Sequence, residues 1–235
     1  MIAKAISRDP FQSKRNRLTL IYLTALPLLI GLRLSDTVIE YFSADSRPYG
    51  LTYGQWTVKW WQWLASIPAD KNPAADETGV HAALHQTNAS VWFLAGTFGG
   101  KSVNRKCVIP AERSVLFPVI NYEMNPIERP DLKTDSDLIR HVVEDEDDVL
   151  NLNCMVDSQT IPVYRIPSDP KMFTITIHEN NAFNIDGGAT ARATSDGYWV
   201  FLKPLWPGQH NLYFAGSCSS GIRNVRARYD LTVLG

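Results

Sequence analysis

The chain has 235 residues, 45% hydrophobic and 20% charged, which excludes the apolar-poor, charge-rich class of disordered chains. Its 23 basic and 24 acidic residues leave a formal net charge of −1, so there is no broad electrostatic footprint for DNA or RNA. The length suits one large β domain or two small ones.

Residues 1–42 read as a basic N-terminus followed by a hydrophobic signal-anchor segment. Lys4, Arg8, Lys14, Arg15 and Arg17 precede an apolar run over 18–32, interrupted by Thr19, Thr24, Pro27 and Gly31 and closed by Arg33. A basic flank holds the N-terminus in the cytoplasm and sends the following chain across the membrane. The run is short against the roughly 20 residues of a full span. No small-x-small cleavage site follows, because the next residues are Arg33, Leu34, Ser35 and Asp36. An uncleaved membrane helix is therefore expected, with the remaining chain periplasmic or extracellular. An interfacial or buried amphipathic helix is the alternative. Cys107, Cys154 and Cys218 leave one thiol unpaired; export permits one disulfide, but spacing does not choose the pair. Buried inert thiols are an equal alternative.

Residues 43–52 read as a linker and 53–235 as the folded domain. Trp56, Trp60, Trp63 and Ile67 fall on one face of a helix that Pro68 stops, and Trp61 adds a fourth tryptophan. That helix either packs its aromatic face on a sheet or presents Trp56, Trp60, Trp61 and Trp63 to a protein partner. Strands are expected over 90–98, 103–109, 114–120, 160–166, 172–177, 198–205, 211–214 and 225–234, with Gly99-Gly100 as a hairpin-type turn. Asp196-Gly197 reads as a turn into an aromatic strand, and Trp206-Pro207-Gly208 as another. Short connections predict antiparallel order, hence a mainly β, antiparallel β-sandwich of jelly-roll-like or Ig-like kind. A further short helix is expected over 136–143, capped by Asp135 or Ser136, ending where the acids 144–148 oppose its dipole.

His81 and His85, four apart and downstream of Asp76, are the candidate metal ligands. The segment lacks the glutamate of a His-Glu-x-x-His zinc site, so it carries no general base of that kind. No Gly-x-Ser-x-Gly elbow, phosphate loop or dinucleotide fingerprint is present, and no cofactor is implied. Arg226 and Arg228 fall on one face of the last strand, a solvent face that would suit an anion.

Several blocks are specific in wording. They are Tyr53-Gly54-Gln55-Trp56 through Trp60-Trp61-Gln62-Trp63 to Ser66-Ile67-Pro68, Asp76-Glu77-Thr78-Gly79, Gln86, and Val91 through Gly100. Arg105, Cys107, Pro110-Ala111, Leu116 through Asn121, Asp196 through Trp199, and Pro204-Leu205 with Pro207-Gly208 and His210 continue the pattern. Across Tyr49 to Leu234 the chain resembles a family of exported bacterial proteins, mostly uncharacterised, in which a Trp-rich helix precedes a β-sandwich. The resemblance implies compartment and fold, not activity. Ala82 stands where those relatives carry a cysteine, so a disulfide from that loop to Cys107 is not expected.

Three functions follow. The first is a membrane-anchored, extracytoplasmic binding or structural accessory subunit of an envelope or membrane assembly. The second is a carbohydrate-binding module, with Trp92, Trp199 or Trp206 as stacking surfaces and Asn121 or Asp196 as polar handles. The third is a metal-dependent hydrolase built on Asp76, His81 and His85, with Glu123.

Overall fold

The computed structural model describes residues 38–219 and 223–235. The basic flank and the membrane helix expected over 18–32 lie outside the described residues. Within them, no helix is long and apolar enough to cross a membrane.

The described chain is mainly β, with two mixed sheets and two α-helices. The first sheet runs in the order β1 (Val91–Phe93), β3 (Ser114–Met124), β8 (Thr190–Leu202) and β6 (Tyr164–Arg165), with β7 (Phe173–Thr176) also on β8. The second runs β2 (Val103–Ile109), β10 (Asn224–Val233), β9 (Gly208–Cys218), β4 (Val149–Val156) and β5 (Gln159–Thr160).

The expected antiparallel order is corrected in two places: β1 lies parallel to β3, and β2 parallel to β10. The Gly99-Gly100 turn closes no hairpin, because β1 and β2 belong to different sheets. The connections β1–β2, β2–β3 and β8–β9 cross between sheets, whereas β4–β5 and β9–β10 fold back within the second sheet. Asp196 and Gly197 sit inside β8, not at its entrance, and pair with Tyr122 and Asn121 of β3.

The inner faces of the two sheets share one apolar core that includes Val115, Phe117, Val119, Val200, Leu202, Leu212, Phe214 and Leu231. The opposite face of the first sheet is covered too. There α1 (Tyr53–Ala65) lays Trp56, Trp60, Trp63 and Leu64 against Phe93, Leu116, Trp199 and Phe201. Strands buried on both faces read as continuous apolar runs, which is why Val115 to Ile120 shows no alternation. By contrast β2, with one solvent face, alternates strictly.

Helix α1 starts at Thr52, whose hydroxyl accepts from Gln55 N at 3.1 Å while the Gln55 amide oxygen accepts from Thr52 N at 2.9 Å. Three of its indoles then fasten it to separate segments. Trp56 Nε1 donates to Pro48 O (2.8 Å), Trp60 Nε1 to Leu94 O (2.8 Å) and Trp63 Nε1 to Leu84 O (2.9 Å). The 43–52 segment, read as a linker, is packed on the domain through buried Pro48 and the Tyr49 hydroxyl, 2.8 Å from Ser114 Oγ. The preceding Phe42 N donates to Phe201 O at 2.9 Å.

The second helix, α2 (Asp135–Asp147), is longer than the spacing predicts and is capped by Thr134. It runs through the acids because tertiary cations oppose them. Arg223 binds Glu146 at 2.5 Å, and Arg165 reaches Asp147. None of the three cysteines forms a disulfide. Cys107 and Cys154 are buried, and burial pushes the Cys107 thiol up to about 12, far from reactivity at neutral pH.

Arg105 is the buried exception on β2, only 1% exposed. Its guanidinium donates to carbonyls of Asp76 (2.6 Å), Ala95 (2.7 Å), Gly96 (2.8 Å) and Ala74 (3.3 Å), and to the Tyr229 hydroxyl at 2.7 Å. Lysine has three rotatable donors and no planar fork, so it cannot replace these contacts. Arg105→Lys is expected to lower unfolding free energy by about 3 kcal/mol or more, because buried carbonyls lose their donors. Urea denaturation of the full chain measures this as a lower midpoint with an unchanged slope.

Candidate functional site

Where the C-terminal half of β3 leaves the core, its residues turn toward a cavity of about 380 Å³. Trp60, Trp61 and Leu64 of α1 form one wall. Residues 96–99 and 182–183 form the rim, residues 118–123 of β3 the floor, and Arg223 and Val225 a further side. The volume is that of a small-molecule pocket.

One end is aromatic and the other acidic. Trp60 meets Trp61 edge-on at 5.0 Å between ring centroids, and Trp61 lies 6.4 Å from Phe183, which lies 6.0 Å from Phe98. Phe98 is half exposed at the rim. At the acidic end, Glu123 and Glu128 share the amide of buried Asn125. Its Nδ2 stands 3.3 and 3.4 Å from the Glu123 oxygens and 2.9 Å from Glu128 Oε2. Asn125 Oδ1 in turn accepts from Ile127 N (2.9 Å) and Glu128 N (3.2 Å), an Asx turn that brings Glu128 back beside Glu123.

Burial raises Glu123 well above the usual carboxylate range, and the neighbouring Glu128 raises it further. Glu128 is raised as well, first by burial, while its hydrogen bond with Glu123 pulls the other way. The neutral form of each carboxyl is therefore favoured more than in a free glutamate.

On α2, burial pushes Glu146 up to about 7 against the pull of Arg223. The ion pair is complete above that pH. Arg223 also donates to Asp145 O at 2.5 Å and lies 5.0 Å over the Tyr122 ring. Burial together with Asp145 and Glu128 raises the Tyr122 phenol to about 12.

The residues singled out in the sequence separate here. Asn121 lines the cavity, and its Nδ2 has no hydrogen-bond partner in the protein. Gly197 keeps it there, since a Cβ at that position would lie 2.5 Å from Asn121 Cβ. Trp199 is fully buried against Trp60 at 5.3 Å, and Trp92 is buried with Arg113 5.5 Å from its ring. Neither presents a free face. Trp206 is 37% exposed but stands away from the cavity, edge-on to His210 at 4.7 Å. Asp196 is buried and bound by Arg165 Nε at 2.9 Å.

Trp56, Trp60, Trp61 and Trp63 are buried at 2, 2, 6 and 5% exposure. They offer no aromatic patch to a partner, because the sheet already covers them. Asp76 uses its carboxylate on its own loop, accepting from Thr78 N (2.8 Å), Thr78 Oγ1 (2.9 Å) and His81 N (2.9 Å). The His81 contact is backbone, and the His85 ring meets Ser66 Oγ at 3.0 Å. Among the described residues, no group of three or more His, Cys, Asp and Glu is placed to hold a metal ion.

Glu128, Asn125, Phe98 and Phe183 were not legible as site residues. The one local signal is Asn125-Pro126 following the strand, a turn signature that places Glu128 near Glu123.

Comparison of the chain with protein-family models, with curated proteins and with solved structures finds no match.

Glu123, Glu128 and Glu146 have folded-state values above their unfolded ones, so they bind more protons folded than unfolded. Stability is therefore expected to fall as pH rises from about 4.5 to about 7, by up to roughly 1.4 kcal/mol per pH unit for each group. Asp76, Asp131 and Asp137 are depressed and act oppositely, only at more acid pH. Denaturant midpoints across pH 4.5–7.5 should show the decline, and Glu123→Gln should flatten it.

Proposed function

We propose that the domain is a ligand-binding module whose cavity receives a compact organic molecule, and that the apolar run over 18–32 anchors it on the outer side of a membrane. The observation that carries the first half is the joining of an aromatic wall to a carboxyl pair around one cavity. Apolar walls with a few convergent polar groups are what small-molecule sites share. The polar groups also carry a stability cost that packing alone does not explain. Two glutamates are buried beside each other where an apolar pair would be cheaper. The second half rests on the basic flank and apolar run alone.

A β-sandwich with a Trp-rich helical layer suits this use, because rigid elements hold the cavity from three sides. Of the accessory-subunit reading, the form that presents the α1 tryptophans to a partner loses its contact surface, because those rings are buried. Glycan binding stays within the proposal as one ligand class, seated at the cavity rim by Phe98 and Phe183 rather than at Trp92 or Trp199.

Ala182 lies on the rim, and Ala182→Phe should fill the entrance without touching either core. In a thermal-shift screen of the full chain against monosaccharides, polyols, amino acids and amines, at least one class should raise the midpoint. The rise should be worth about 2.7 kcal/mol at a hundred times the dissociation constant, and Ala182→Phe should abolish it. Silence across the panel, or shifts indifferent to Ala182→Phe, would remove the proposal.

A further inference from the structure

We infer that the cavity's ligand is an organic cation: a compact ammonium group seated between the Glu123–Glu128 pair and the aromatic wall, with an oxygen-bearing end at Asn121. The inference rests on the ligand-binding reading above and narrows it to one charge class.

Charge decides first. Among the described residues, the acids lining the cavity are Glu123 and Glu128, and the only cation is Arg223. Arg223 is already engaged by Glu146 at 2.5 Å and by Asp145 O at 2.5 Å. From that turn the carboxyl pair receives the Asn125 side-chain amide and, at Glu128, the Asn125 backbone amide. Four carboxyl oxygens are thus left with acceptor capacity facing a partly apolar space. An anionic ligand would meet like charge at low dielectric, and a neutral one would leave the pair's charge uncompensated. An ammonium group compensates it, and one that carries N–H also supplies donors.

The walls favour the same class. Trp60, Trp61, Phe98 and Phe183 present π-systems, and cations are attracted to aromatic faces, most strongly to tryptophan. The site already contains one such contact, the Arg223 guanidinium over Tyr122 at 5.0 Å. A bare metal ion fits less well, because aromatic carbons supply no oxygen ligands and the pair lacks a third ligating side chain. At the other end, the unpartnered Asn121 Nδ2 calls for an acceptor, and Trp61, 6% exposed, has an unpartnered Nε1 as well. A hydroxyl, carbonyl or carboxylate oxygen on the ligand would satisfy either.

Among the described residues, the other titratable or charged groups lining the cavity with the pair are Tyr122 on β3 and Arg223; His141 lies behind Tyr122, and Asp145 and Glu146 behind Arg223. Because burial holds both carboxyls above the usual carboxylate range, an arriving cation favours their ionisation. Binding therefore strengthens as pH rises through the ionisation of the pair.

The test uses the full chain, titrated under tryptophan fluorescence with methylammonium, tetramethylammonium and choline, and with choline's uncharged isostere, 3,3-dimethylbutan-1-ol. Choline should bind at least about tenfold more tightly than the isostere, the two differing only in charge. Glu128→Gln should erase that difference without lowering the thermal midpoint, and Ala182→Phe should abolish binding of both. An isostere that binds as tightly as the cations overturns the charge assignment and leaves the cavity reading standing. So does binding confined to uncharged members of the wider panel. If nothing binds in a manner sensitive to Ala182→Phe, both readings fall together.

Discussion

The structure turns on a buried guanidinium. Arg105 sits between the sheets with no carboxylate among its hydrogen-bond partners, and its charge is solvated by four backbone carbonyls and the Tyr229 hydroxyl. Such a group is costly to bury and costly to leave half satisfied, so each of those carbonyls is held in one place. Ala74 and Gly96, two of the carbonyl bearers, are also cavity residues. A loop wall that would otherwise lack regular structure is thereby fixed from inside the core. Tyr229 completes the arrangement by donating to Ala95 O at 2.7 Å while receiving from Arg105.

The tryptophans of α1 act in a related way on the other side of the first sheet. Each of Trp56, Trp60 and Trp63 buries a large apolar surface and spends its one donor on a carbonyl from a different segment. The helix is therefore a layer of the fold that also orders the chain around it. Trp61 differs. It is buried to a similar degree, yet its indole nitrogen has no partner and its ring joins the cavity wall.

The acidic side of the cavity works against stability. Glu123, Glu128 and Glu146 are all raised by burial, and each costs free energy once ionised. Arg223 offsets Glu146 and, with Arg165, lets α2 carry its acids to the C-terminus against the helix dipole. Among the described residues, no cation is recorded against the Glu123–Glu128 pair, which is helped locally by the side-chain and backbone amides of Asn125. Proteins retain buried, under-compensated carboxyls chiefly where a ligand or a proton is handled.

Local pattern alone determined a good deal. The i, i+4, i+7 tryptophans and Pro68 defined α1 closely, because that signal comes from one amphipathic element facing one core, and turn residues on either side bounded β2. Mainly β content followed from the run of short apolar segments and turns. Tertiary structure decided the rest. Whether 91–93 pairs parallel or antiparallel depends on a strand more than twenty residues away, and no short-range signal carries that choice. The length of α2 depended on Arg223 and Arg165, distant in sequence, outweighing a local dipole. Trp92 and Trp199 looked like stacking surfaces until both faces of the first sheet were seen to be covered. Glu123 was legible as an isolated acid, but a carboxyl pair exists only once the Asn125 turn brings Glu128 to its side. Proximity of that kind is a property of the folded backbone, and composition and periodicity do not contain it.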